Sequence, residues 1–539
     1  MGDRYSAEDL NNCSKEELVR IVMSMQGKMD ILSDDMEKLI EQIRLANQQR
    51  FGRHSEKLDV LEGQQSIFDE FDSLYQENHV EPDIEEIVPS LKKKKQKGKR
   101  DEDLKDLPVE IVPTHALSDE ELDAFYGAGN WKRMPDETYK RVRFEPASYT
   151  VELHTIQVAV GTDGLHQDEF LRGKRPRDLF RNSIATPSLV SGFVNGKYVN
   201  GMPIHRIEQE LKRNGVNISK QTISNWTIDA AERYLVPLYD RMQEELLALH
   251  VNQCDETPVQ VIKDGRSPGS KSYMWVHRSG EFYKDKQIVL FEYQKGRSHE
   301  LPLEFYRNYT GILVTDGLSQ YHLVDRKLEN LTNANCWAHA RRDFADAIKA
   351  AGKGNPESIR RSIANQALEK IARIYQIEGK LKDLDPKQRL QKRTKEIKPL
   401  VEEYFAWLKD VAVSGVVPPK SKTAEGIRYN LNQEEYLKVF LKDGEVPIDN
   451  SASERAIRPF CIGKKNWLFC DSIRGAKASA ILYSITETAK LNNLRPYQYV
   501  KYLLEKIPEL MDQGNPVPKE DIDNLVPWSK ALPEVCYKK

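Results

Sequence analysis

The sequence predicts a multidomain α+β chain: an N-terminal coiled coil, a helix-turn-helix, and an α/β core interrupted by a helical insertion. Three observations predict it. An apolar heptad runs from Leu18 to Ala46, and a helix–glycine–helix pattern spans 203–233. Short β-branched runs fill 250–315, before a stretch rich in Lys, Arg and Glu takes over. The 539 residues suit about three or four domains. Apolar residues make up 39%, enough for several cores, and charged residues 30%, so much of the surface is solvated.

Leu18, Val22, Met25, Met29, Leu32, Met36, Leu39, Ile43 and Ala46 alternate steps of four and three. These are the a and d positions of a seam that buries its stripe against a second helix. Gly27 weakens it, by ~1 kcal/mol relative to Ala. An amphipathic helix packed on its own domain is the alternative, but so narrow and regular a stripe favours self-association. Residues 10–60 are therefore read as an oligomerisation segment, making a homodimer or higher oligomer. Residues 61–105 read as a charged linker, acidic at 77–86 and almost wholly basic at 92–100 (KKKKQKGKR). The lysine run is either a solubilising tether or a sequence-independent phosphate contact that salt weakens. The net charge of −2 selects no partner, since a balanced total can hide a local basic surface.

Residues 106–182 read as a small β-rich domain, with Ser148–Val160 as a strand of β-branched alternation. Residues 183–240 read as a helix-turn-helix region. Pro203–Asn214 (PIHRIEQELKRN) has apolar residues at helical spacing, Gly215 to Ser219 break it, and Ser219 can cap a second helix, Lys220–Arg233. Lys220, Gln221, Ser224 and Asn225 lie near the start of that helix. They are the side-chain types that reach phosphates and base edges. An ordinary helical hairpin would have the same pattern.

Residues 248–336 read as α/β, with strands at His250–Cys254, Val259–Ile262, Tyr273–His277, Gln287–Tyr293 and Gly311–Thr315. Two of them lead into carboxylates, Asp255 and Asp316, and ligands gather at strand ends in open α/β sheets. Turn chemistry alone also places Asp-Gly after a strand. Residues 337–445 read as a helical insertion and 446–500 as the second part of the core. There Asp449 or Asn450 can cap a helix whose first turn holds Glu454. Residues 501–539 are left as a C-terminal tail. The six cysteines, at 13, 254, 336, 461, 470 and 536, form no C-x-x-C pair, which suits a reducing compartment. With no apolar signal core and no run near the ~20 residues a bilayer demands, a soluble, cytoplasmic, nucleoid-associated protein without a membrane partner is expected.

Seven blocks, in order, carry a more specific resemblance. They are Phe51-Gly52-Arg53-His54-Ser55-Glu56-Lys57-Leu58, Asp255-Glu256-Thr257-Pro258-Val259, Thr315-Asp316-Gly317 with Tyr321, and Cys336-Trp337-Ala338-His339-Ala340-Arg341-Arg342-Asp343-Phe344. Asp449-Asn450 with Glu454-Arg455 and Arg458-Pro459, Gly463 to Phe469 (GKKNWLF), and Asn492 to Tyr497 (NNLRPY) complete them. Together they resemble the large transposase of the insertion sequence 66 family, of the DDE type.

The resemblance implies an RNase H-like catalytic core, with Asp255, Asp316 and Glu454 as catalytic and metal-binding residues. It implies two Mg²⁺ (or Mn²⁺) ions, hydrolysis at transposon ends, and joining to target DNA. Two such ions activate the attacking oxygen and stabilise the leaving one, and hard carboxylate oxygens suit them. Asp255 is the expected bridging ligand, while Glu256 and Asp449 are neighbouring carboxylates more easily read as surface and capping residues. The resemblance also implies DNA (transposon ends and target) and small accessory proteins of the same element as partners. Arg341, Arg342, Arg455, Lys464, Lys465 and Arg474 are candidate phosphate contacts, with local ion pairs as the alternative. Cys336 and His339 form a pair expected to be structural, and Trp467 is expected to pack in the core. One departure concerns zinc. The family's paired cysteines before the helix-turn-helix are missing here, because no cysteine lies between Cys13 and Cys254, so zinc is not expected. A DNA-binding protein with a decayed core, and a nuclease that cuts without joining, are the competing readings.

Overall fold

The computed structural model describes residues 119–126, 128, 148–160, 170–172 and 178–538, apart from 268–269, 299, 352–355 and 512–516. The coiled coil of 10–60, the linker of 61–105 and the basic cluster at 174–177 lie outside the described residues. The chain divides into two compact units.

The smaller unit takes in the described residues of 79–175 together with 210–217. It has a helix, Asp119–Tyr126, and one antiparallel pair, β1 (Val158–Val160) with β2 (Phe170–Arg172). The strand expected over Ser148–Val160 is corrected: only its last three residues pair, and 148–157 have no ladder partner among the described residues. Val151 and Leu153 are exposed. Alternation builds a strand only where a neighbour takes up its backbone groups and one face is covered.

The larger unit takes in 178–209 and 218–538. Helix α1 (Pro187–Val194) starts on Thr186, whose side chain accepts from the Leu189 N–H. Helix α2 (Ile204–Arg213) stops where Gly215 takes φ +78°, and the Val216 N–H returns to the Leu211 carbonyl. Helix α3 (Lys220–Ala230) starts on Ser219, which accepts from the Thr222 N–H. The helix expected to run to Arg233 instead widens into a π turn over Ala231–Leu235, before α4 (Val236–Leu247). Pro237 at the start of α4 has no N–H to continue a regular ladder, which accounts for the break.

The centre is a five-stranded sheet in the order β6-β5-β3-β7-β8. Here β3 is Val251–Val259, β5 Ser272–Ser279, β6 Val289–Gln294, β7 Gly311–Thr315 and β8 Leu331–Asn335. The first three form an antiparallel meander, and β7 and β8 add to β3 in parallel. Helix α5 (Ser319–Lys327) makes the β7–β8 crossover. Two strand expectations change. β3 does not end at Cys254 but runs on through Asp255 to Val259, and β4 (Val261–Lys263) leaves the sheet to pair with β9 (Cys470–Ser472). β8 (LTNAN) escapes notice in the sequence because it lacks β-branched alternation; parallel pairing with β7 at the edge of the sheet, with four of its five residues buried, makes it a strand.

From Trp337 the chain is helical: α6 (Trp337–Ala351), α7 (Ile363–Glu378), α8 (Lys398–Ser414) and α9 (Lys422–Asn432). They have their own core of Trp337, Phe344, Ile371, Tyr404, Phe405 and Leu408, continuous with Val314 and Ala334 of the sheet. The chain then returns through α10 (Ser451–Trp467), α11 (Ile473–Leu491) and α12 (Pro496–Leu510). Phe460, Tyr483, Tyr499, Leu503 and Leu504 of these helices share a core with Met274, Val276 and Phe291 of the sheet. Helix α11 also closes the sheet's edge. Ser484 Oγ accepts from the Phe291 N–H at 2.7 Å, while Thr488 Oγ1 accepts from the Val289 N–H at 3.0 Å and donates to its carbonyl at 2.9 Å. Hydroxyls thus replace the missing sixth strand, which an exposed edge would otherwise invite.

Candidate active site

Register places the first two carboxylates. Val251, Asn252 and Gln253 of β3 lie opposite Ile312, Leu313 and Val314 of β7. Carried two residues on, the same parallel register sets Asp255 beside Asp316, just beyond the end of β7. Gly317 makes that end possible: its φ is +84°, and an added Cβ would lie 2.5 Å from the Tyr429 hydroxyl and 2.8 Å from Asn335 Nδ2. The Asp316 carboxylate accepts from the Leu318 N–H, and the Asp316 carbonyl accepts from Tyr429 of the helical insertion at 2.8 Å.

Glu454 sits in the first turn of α10, and that turn is clamped to the sheet. Asn450 Nδ2 donates to the Cys254 carbonyl at 2.8 Å, and Gln253 Nε2 donates to the Asp449 carbonyl and to Asn450 Oδ1. The Asn450 N–H donates to Cys336 Sγ, and the buried Arg278 donates to the Ala452 carbonyl at 3.0 Å. Asn450 therefore does not cap α10 with its side chain; Asp449 takes that part, accepting from the Ser451 N–H. Sequence reasoning missed Gln253 and Arg278 as positioning residues. They join segments about two hundred residues apart, and only Asn450 belongs to one of the quoted blocks.

Asp255 feels the charges of both other carboxylates. Burial, then the charges of Glu256, Glu454 and Asp316, push the Asp255 carboxyl well above the usual range. Burial also raises Asp316, against the pull of Arg297 and Arg342. Glu256 is engaged elsewhere: it pairs with Arg297 and accepts from the Tyr321 hydroxyl. On a pleated strand adjacent residues face opposite sides, so Cys254 and Glu256 turn to Tyr321, while Gln253 and Asp255 turn to α10. Among the described residues no group of three or more His, Cys, Asp or Glu side chains is gathered tightly enough to hold a metal ion. The donor chemistry of the three carboxylates is that of a hard divalent cation, and the repulsion at Asp255 is what such a cation would relieve.

The remaining residues separate into groups. Cys336 is buried at the start of α6 and accepts from Asn450, and His339 Nδ1 lies 3.7 Å from Glu454 Oε1. Burial and Arg342 lower His339 to about 3, so it is neutral at pH 7 and this is no ion pair. Arg342 and Lys465 are exposed and Arg341 half-buried. Arg455 pairs with Glu281 at 3.1 Å, and Lys464 Nζ donates to the Pro258 carbonyl at 2.7 Å. Arg474 is held by Asp229 and Glu232. Trp467 packs against Phe460. On α3, Lys220, Gln221 and Asn225 are exposed and Ser224 half-buried; Gln221 Nε2 donates to Asn225 Oδ1.

Comparison with known proteins agrees with this architecture. Residues 182–478, more than half of the chain, match the model described as "Transposase IS66 family". Residues 484–528 match "IS66 C-terminal element", and 38–112 match "Transposase C of IS166 homeodomain". The chain therefore belongs to the IS66 transposase family, a DDE-type family of insertion-sequence transposases. It is 29% identical over 374 residues to "Uncharacterized protein y4qI" of Sinorhizobium fredii, covering 67% of this chain and 66% of that protein. It is 28% identical to y4hP of the same organism, over 64% of this chain and 62% of that one. The chain thus spans slightly less than two thirds of the length of both. The homeodomain match lies upstream of the α2–α3 pair and outside the described residues. No helix among the described residues is long and apolar enough to cross a membrane.

Proposed function

We propose that this chain cuts DNA at the ends of a mobile element and joins them to target DNA, using Asp255, Asp316 and Glu454. The observation that carries the reading is the parallel register of β3 and β7, which aligns Asp255 with Asp316, beside a helix whose Glu454 turn is fastened to the Cys254 carbonyl. The strand order, an antiparallel meander followed by two parallel strands, supports an RNase H-like core. Family membership supports the activity.

In this reading Asp255, Asp316 and Glu454 would hold two divalent cations, Mg²⁺ or Mn²⁺, which when bound would supply the Lewis acidity that two-metal phosphodiester chemistry uses. The protein's part is positional. β3 and β7 fix two carboxylates on neighbouring backbones, and the Asn450 and Arg278 clamp fixes the third on the turn of α10 that faces them. Arg297 keeps Glu256 out of the donor set, and neutral His339 beside Glu454 adds no charge to compete with a cation. Zinc plays no part. Helix α3 would offer Lys220, Gln221, Ser224 and Asn225 to DNA, and Arg341, Arg342, Arg455, Lys464 and Lys465 remain the candidate phosphate contacts. The 10–60 seam pairs two copies so that both element ends are held.

The test uses the full chain with DNA carrying its own element's ends, Mg²⁺, and the element's small accessory proteins. Cut and joined products are expected. Asp255→Ala should reduce both by more than about a thousandfold, the loss of roughly 4 kcal/mol of transition-state stabilisation. Cutting without joining would replace this reading by a nuclease, and binding without cutting by a DNA-binding scaffold.

A further inference from the structure

The turn that ends α10 is unusual. Leu468 has φ +66° and ψ −49°, the centre of a γ-turn closed by the Phe469 N–H on the Trp467 carbonyl at 2.8 Å, and a positive φ is rare at a branched side chain. Leu468 and the next residue, Phe469, are 67% and 46% exposed, and Ile462 one to two turns back is 40% exposed. Water therefore surrounds two adjacent large apolar side chains, Leu468 and Phe469, on this turn. The backbone beneath is well held. The Leu468 N–H returns to the Lys464 carbonyl at 2.7 Å, Cys470 N–H donates to the Gln260 carbonyl at 2.9 Å, and Asn466 Nδ2 donates to the Gly201 carbonyl at 2.9 Å. The tip is a rigid projection, with a side chain where the backbone favours none.

Its surroundings are cationic. Lys464 and Lys465 precede it; Lys465 is exposed with no ion-pair partner among the described residues, and Lys464 spends one donor on Pro258. The carboxylate just beyond, Asp471, is paired with Lys263 at 2.8 Å. Helix α10 runs beside β3: Glu454 lies at the end near Asp255, and Cys461 meets Thr257 and Lys464 meets Pro258 farther on. The fourteen residues from Glu454 to Leu468 span about 21 Å of helix, the length of about six base steps. A duplex lying along α10 with a phosphate at the carboxylates would reach the tip.

We infer that Leu468 and Phe469 form a wedge that packs against an unstacked nucleobase, with Lys464 and Lys465 holding the adjoining phosphates. Apolar side chains beside basic ones are how proteins hold an opened base step. The inference rests on the DNA-cutting reading and adds to it a base-opening contact remote from the carboxylates.

The experiment measures binding of the full chain, by fluorescence anisotropy, to two duplexes of equal length and related sequence. One is fully paired and the other has a short unpaired fork at one end. Wild type is expected to bind the forked duplex about tenfold more tightly, the scale of a single base stacked on an aromatic ring. Leu468→Gly, whose backbone suits the positive φ and so leaves folding intact, and Phe469→Ala should each remove most of that preference while leaving paired-duplex binding unchanged. Lys465→Ala should weaken both duplexes alike. Equal binding of both duplexes by wild type, or an undiminished preference in both apolar variants, overturns the wedge alone. Loss of oligomer mass in those variants with DNA binding intact also overturns it and makes the tip a protein contact. Failure to bind either duplex overturns the DNA-cutting reading, and the wedge with it.

Discussion

Asp255 stands at the electrostatic centre of the proposed site. Its carboxyl is pushed well above the usual range by burial and by the charges of Glu256, Glu454 and Asp316. A carboxylate whose folded pKa is raised costs nothing below its ordinary pKa, where both states are protonated. The cost grows as pH climbs from the ordinary to the raised value, and is complete above it. In chelator, Asp255→Asn should therefore raise the melting temperature at neutral pH and leave it unchanged below about pH 4. Melting curves across pH check this; an unchanged or lower melting temperature at pH 7 would mean that the carboxylates do not repel. Gly317→Ala tests the neighbouring position. With φ +84° and no room for a Cβ beside Tyr429 and Asn335, it should cost about 1–3 kcal/mol and displace Asp316, read as lost stability together with lost cutting. Asp255, Asp316 and Glu454 could be picked out as candidates because each stands in a quoted block, and the structure brings the charges of Asp316 and Glu454 to bear on Asp255. Gln253, Arg278 and the side-chain role of Asn450 could not be picked out, since their partners lie in segments remote in sequence.

Elements decide how those residues meet. The sequence marked β7 and the meander by β-branched runs and the α2–α3 turn by Gly215 and Ser219, with bounds off by a few residues. β8 (LTNAN) stayed hidden, and β3 was cut short at Cys254, because Asp255-Glu256-Thr257-Pro258 has the composition of a turn and is a strand only through its pairing with β5. Helix α11 likewise hides its function at the sheet edge: YSITETAK reads as a polar helix segment, yet Ser484 and Thr488 satisfy β6. Thr488→Val keeps the shape and removes both hydrogen bonds to Val289, so it should cost about 1–3 kcal/mol. Amide exchange should show the Val289 N–H losing protection more than the amides of β3; equal protection would remove α11 from the role of edge cover.

At the scale of the molecule, a core built from two sequence segments, the sheet of 251–335 and the helices from Ser451 onward, is interrupted by a helical insertion that reaches the candidate site through Tyr429. The insertion was legible as a long Lys-, Arg- and Glu-rich helical stretch; its contact with Asp316 was not, being a single tyrosine hydroxyl. Self-association belongs to this scale too. Deleting residues 10–60 should convert an oligomer to a monomer in sedimentation, and an unchanged mass would return the Leu18–Ala46 stripe to an intrachain role. The central claim is that Asp255, Asp316 and Glu454 act as one cation site, and calorimetric titration of Mn²⁺ into wild type and into each alanine variant, with element-end DNA present, tests it most directly. The account predicts that each variant loses binding while keeping a cooperative melt. Unaltered binding in any one of them would take that carboxylate out of the site.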